Sequence, residues 1–137
     1  MWAFGSAGGG ISVFVQNDRL VLDYNAFGDH TVVSSEQALP TGGLTLGVRL
    51  TRDSPTSGVA TLLIDGVVAG EGPLPTFMRM VSSLGASIGF DRGSSVSPRY
   101  AGAFPFTGTL HEVVIQLPAR SRDAGPAAAA RVEMARQ

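Results

Sequence analysis

Few residues in this chain have the type and spacing to do chemistry. The two histidines, His30 and His111, lie far apart in sequence, each inside a stretch with strand character. Imidazole does catalysis or holds metal where other groups cluster around it, and neither residue belongs to a His-x-His or His-Glu-x-x-His pattern. A structural or solvent-facing role is the plainer expectation for both. Asp23, Asp29, Asp65 and Asp91 sit near turns, where hard cations find oxygen ligands. Each has a simpler use: Asp65 forms a turn, Asp23 and Asp29 flank one, and Asp91, beside Arg92, can bind its own loop amides or an arginine. No metal site and no cofactor site is expected from them. Serines are present, yet Ser, His and Asp residues without spatial order define no triad, so hydrolase chemistry lacks support. Cysteine is absent, which removes a disulfide framework, a thiolate metal site and a cysteine nucleophile. Gly8-Gly9-Gly10 lacks the helix and lysine of a phosphate cradle.

The stretch best suited to touch a ligand runs from Asp91 to Tyr100, DRGSSVSPRY, a long irregular Gly/Ser segment with an acid and a base at one end and an aromatic at the other. Long loops with aromatic anchors in a compact domain are usually functional or packed onto the surface. Asp91, Arg92 and Tyr100 are therefore the candidate ligand contacts. Tyr24, Phe27 and Tyr100 could stack on sugar rings, although packing is the commoner fate of aromatics.

The elements that would position this loop read as strands. Ala60–Pro75, ATLLIDGVVAGEGPLP, places apolar runs on both sides of Asp65-Gly66, the turn pair of a tight hairpin. Upstream, Trp2-Ala3-Phe4 is a strand fragment broken by the glycines from Gly5 to Gly10, and a chain that opens in mid-strand is expected to lack an N-terminal strand. Ile11–Gln16 and Leu20–Tyr24 flank a three-residue turn, Asn17-Asp18-Arg19. Within the first of these, Val13 and Val15 share one face and Ser12, Phe14 and Gln16 the other, so Phe14 implies that the more polar face is covered. His30–Ser34 and Leu44–Leu50 follow as strands, the latter with Leu44, Leu46, Val48 and Leu50 on one face, and a polar loop spans Arg52–Gly58. Further strands are expected at Thr76–Ser82, Ser87–Phe90 and Gly108–Leu117. The Ala-rich tail after Pro126 favours a short helix.

With 137 residues the chain has the length of one domain, divided here into a β-sandwich over 1–118 and a linker with helical tail over 119–137. Charged residues make up 15% and the net charge is −1, so no basic footprint for nucleic acid or an anionic membrane is present. No apolar run is long enough to span a bilayer and no signal peptide is recognisable, which leaves a cytoplasmic location as the default. Regularly spaced short strands with Gly/Pro turns indicate an all-β antiparallel sandwich or jelly roll.

In order, GGGISVFVQNDRLVLDYNAFGDHTVV, LPTGGLTLGVRL, ATLLIDGVVAGEGPLP and IGFDRGSSVSPRYAGAFPFTGTLHEVVIQL resemble the C-terminal accessory domain of large bacterial arylsulfatases. That domain is similar to the concanavalin A-like, laminin G type jelly roll. The resemblance implies a noncatalytic module that packs against a sulfatase catalytic domain, in cis or in trans, with a lectin-like carbohydrate-binding module as the alternative. It also implies that the family's calcium ion and formylglycine belong to that other domain. Ser97-Pro98-Arg99 does not supply the Cys/Ser-x-Pro-x-Arg pattern of the formylglycine site, so no catalytic residue of the family has a position here. The chain resembles a separated or truncated C-terminal portion of such an enzyme.

Overall fold

The computed structural model describes residues 1–75 and 84–117. Four strands, β1 (Trp2–Ser6), β2 (Gly9–Gln16), β3 (Arg19–Ala26) and β4 (Asp29–Ser34), follow one another as an antiparallel meander. Its turns are tighter than the sequence suggests. Asn17 and Asp18 alone form the β2–β3 turn, with φ of 51° and 56°, and Arg19 already pairs with Gln16. Asparagine and aspartate tolerate this left-handed region, which is why two residues suffice. The glycines from Gly5 to Gly10, expected to break the chain, are largely strand, with Gly5 opposite Gly10. The two backbones approach so closely that a Cβ on Gly10 would collide with the Phe4 carbonyl.

The second sheet contains β5 (Leu46–Ser54), β6 (Ser57–Ile64) and β7 (Val67–Leu74) in that order. Asp65 and Gly66 close the β6–β7 hairpin with φ of 50° and 79°, the two positive values that the tight turn requires. Asp65 does more than turn the chain. Its carboxylate accepts from the Thr45 amide and its own amide donates to the Thr45 carbonyl, both at 2.8 Å, which fastens the entry of β5 to the hairpin tip. The polar stretch Arg52–Gly58 is mostly strand, because β5 runs through a bulge at Arg52/Ser54 before a short turn. Finally β8 (Ala86–Ile88) returns to the first sheet beside β1, giving the order β4-β3-β2-β1-β8.

Period-two alternation decides which side of each strand is buried. Ile11, Leu20, Leu22, Tyr24 and Val33 of the first sheet meet Ala60, Leu62 and Leu74 of the second in one core. The fold is thus an all-β antiparallel sandwich, as its sequence predicts. Between β4 and β5 the chain crosses from one sheet to the other, pinned by Ser35 and Glu36 amides to the Leu20 and Ala69 carbonyls at 2.8 and 2.7 Å.

One expected strand is missing. Gly108–Leu117 carries the right residue types, yet it pairs with no described strand, and Leu110, Val113, Val114, Ile115 and Leu117 are all exposed. Strand structure needs a ladder partner, and no described strand lies alongside it. The strand expected at Thr76–Ser82 and the helical tail within 119–137 lie outside the described residues. Among those described, no helix is long and apolar enough to cross a membrane.

Candidate functional site

The outer face of the first sheet is where polar and aromatic side chains converge. Because Leu20, Leu22 and Tyr24 of β3 point into the core, Val21, Asp23 and Asn25 must point the other way. Register then assembles a row across the strands: Ser12 stands opposite Asp23, and Asn25 opposite His30. The segment from Gly89 to Phe106 folds down over this row as a cap. It is anchored at its root by the Gly89 amide on the Met1 carbonyl at 2.8 Å, the Phe106 amide on the Gly89 carbonyl at 2.7 Å, and the Asp91 amide on the Ala103 carbonyl at 2.7 Å.

Aromatic packing seals one half of the cap. Tyr100 meets Phe14 edge-on at 4.9 Å between centroids and stacks on Phe104 at 4.8 Å, while Phe14 and Val21 are fully buried beneath. The cover inferred from Phe14 on a polar strand face is therefore real, and Tyr100 and Phe104 supply it. Under the same ring, the Tyr100 hydroxyl donates to Asp91 Oδ2 at 2.6 Å, and the Val96 amide donates to that oxygen at 2.8 Å. Burial first, then the Asp91 carboxylate, push the Tyr100 phenol well above its ordinary pKa. Asp91 Oδ1 and Ser12 Oγ are buried without a hydrogen-bond partner.

The other half is a polar chain centred on Asp23, which is completely buried. Its Oδ2 accepts from the Ser97 hydroxyl at 2.5 Å, and its Oδ1 lies 2.9 Å from His30 Nδ1. Asn25 spends both ends of its amide: Nδ2 donates to the Ala7 and Val96 carbonyls at 3.0 and 3.1 Å, and Oδ1 accepts from the Gly28 amide at 2.7 Å. A cleft of about 350 Å³ beside this chain is lined by Asn25, His30, Ser95, Val96, Ser97 and Pro98, among others.

Of the three residues proposed to contact a ligand, Asp91 and Tyr100 turn inward and bind each other, and Arg92 alone is exposed. Tyr24 belongs to the core, and Phe27, at the β3–β4 turn, is 71% exposed. Sequence reading did not unite Asp23, His30 and Ser97. The first pair was accessible in principle, since a two-residue turn at Phe27-Gly28 sets 23 and 25 on the same face as 30. Ser97 was not, because only the tertiary path of the cap brings it there. That reading also overlooks a nucleophile-elbow spacing, Gly85-Ala86-Ser87-Ile88-Gly89. The structure places Ser87 inside β8, buried, with its hydroxyl toward the Ala3 carbonyl at 3.4 Å and no helix after it. His111 lies exposed in the unpaired segment, and no three potential metal ligands come together among the described residues.

The order of contacts limits the chemistry. In a hydrolytic triad the imidazole stands between acid and serine and takes the serine's proton. Here the carboxylate stands in the middle, so the Ser97 hydroxyl donates a hydrogen bond to Asp23 and no imidazole stands beside it as a base. No family model matches the chain, and neither curated proteins nor solved structures provide a significant match.

Proposed function

We propose that the chain is a noncatalytic C-terminal β-sandwich module of an arylsulfatase, a jelly roll of the concanavalin A-like, laminin G type, that packs against a separate catalytic domain in cis or in trans. One observation carries the noncatalytic part: Asp23 sits between Ser97 and His30, so the cluster fastens a loop and activates no nucleophile. Asp91 and Tyr100 serve the same end, holding each other beneath the cap. The sulfatase assignment rests on the ordered sequence segments. Calcium and formylglycine of that family would belong to the catalytic domain.

A lectin-like module is the second reading, and the exposed ring of Phe27 favours it, since an aromatic face is a stacking platform for sugars. The two readings separate in one set of measurements on the purified chain. An arylsulfatase catalytic domain lacking its own C-terminal module is titrated with the chain, and an aryl sulfate and a glycan array are offered to the chain alone. Complex formation without turnover and with a blank array is the expected result. Turnover by the chain alone would sink the noncatalytic reading. Glycan retention that disappears in Phe27→Ala, with no complex formed, would install the lectin reading.

A further inference from the structure

Among the described residues the sandwich is open along one flank. β7 and β6 of the second sheet pack on β4 and β3 of the first, so the remaining strand, β5, falls toward β2. At that end β1 and β8 have no facing strand among the described residues. Side chains that should be interior are consequently in water. Leu46, Val48 and Leu50 are paired with Ile64, Leu62 and Ala60 and share the inward face of Leu62, yet Leu46 and Leu50 are 37% and 42% exposed. Opposite them, Ile88 stands across from Trp2 on the inner face of the first sheet and is 48% exposed. Among the described residues β5 is also a sheet edge over nine residues, with backbone groups open to a further strand.

The same chain carries a segment of strand-like composition that belongs to neither sheet. In an extended conformation Thr109–Leu117 would set Val113, Ile115 and Leu117 on one face with Thr109 and His111, and Glu112 and Gln116 on the other with Leu110 and Val114. Laid on the β5 edge, the first set would cover the interior side with Leu46 and Leu50. Glu112 would then lie in the outer row that contains Arg49, a pairing of opposite charges. Each copy thus offers one acceptor edge and one donor segment of similar length, and in the structure the donor does not occupy its own acceptor.

We propose that a second copy of this chain closes the flank by reciprocal strand exchange, the Thr109–Leu117 segment of each copy pairing with the β5 edge of the other. A two-fold dimer satisfies both donors and both acceptors at once and closes the exchange at two copies. This goes beyond packing against a catalytic domain and does not depend on it.

Sedimentation velocity on the full chain tests it with two single variants at exposed positions, Leu50→Lys in the acceptor and Ile115→Asp in the donor, each checked for folding by circular dichroism. The wild-type chain is expected to dimerise reversibly, and each variant to raise the dimer dissociation constant by about tenfold or more. Mixing the two variants should restore a heterodimer, because the unaltered donor of Leu50→Lys meets the unaltered acceptor of Ile115→Asp. A monomeric wild type, or variants that dimerise as well as the parent, would overturn the proposal. So would a mixture that stays monomeric. Should either variant misfold, the milder Leu50→Thr and Ile115→Thr carry the same mixing test.

Discussion

The two faces of the first sheet have met the same problem with opposite outcomes. Its outer face carries Phe14 and Val21 among polar neighbours, and the cap from Gly89 to Phe106 leaves both fully buried. Its inner face at β1 and β8 carries Trp2, Phe4 and Ile88 among apolar neighbours, and Ile88 is left 48% exposed. Hydrophobic character therefore does not decide what is covered; supply of a covering segment does. The cap can be held because it brings its own polar anchors, with Asp91 on Tyr100 and Val96, and Ser97 on Asp23. The unpaired Thr109–Leu117 segment has apolar side chains in abundance and no comparable anchor.

This contrast predicts a graded response to mutation. Phe14→Ala should cost the most, about 3–5 kcal/mol, since it empties a closed site beneath Tyr100 and Phe104 that cannot easily collapse. Chemical denaturation reads this directly, and a loss below about 1 kcal/mol would mean that the cap is loosely seated. Tyr100→Phe should follow at about 1.5–3 kcal/mol, because it removes a hydrogen bond to a buried carboxylate that keeps only the Val96 amide. This variant also tests the raised phenol pKa. A phenol whose folded pKa lies above its unfolded value of 10.0 contributes stability that is complete below pH 10 and declines as pH rises beyond it. The wild type should accordingly lose stability above pH 10 more steeply than Tyr100→Phe, and parallel pH profiles would contradict the assignment. Leu46→Ser at the open flank should have the smallest effect, within about 0.5 kcal/mol in dilute solution. A large loss there at low protein concentration would show that the flank is already closed within one copy.

Much of the sandwich was legible because alternation and turn chemistry are local signals. Leu20, Leu22 and Tyr24 reveal an inward face by spacing alone, and Asp65-Gly66 announces its turn by conformational preference. Phe14 even announced the cap. What could not be read was long-range placement: that Tyr100 is the ring over Phe14, or that Ser97 reaches Asp23. Residue types at a distance say nothing of the path between them, so Asp91 and Tyr100 suggested ligand contacts while the folded chain uses them on each other. Gly108–Leu117 failed in the opposite way. Its composition is that of a strand, but pairing is a property of two segments, and no described strand lies beside it.

The meander of β1 to β4 has a consequence for the order of folding. Its strands are sequence neighbours joined by two-residue turns, so the first sheet can zip up by short steps. The cap, by contrast, is tied down by bonds such as Asn25 to Val96 and Ala7 to Ser94, spanning 71 and 87 residues. Closing such spans is slow, and local pairing precedes it. Until the cap lands, Phe14 stands in water beside a hydrated Asp23, and the arriving Ser97 hydroxyl must replace that water. Maturation of this protein is therefore expected to end with a dehydration step on one face of a sheet that is already built.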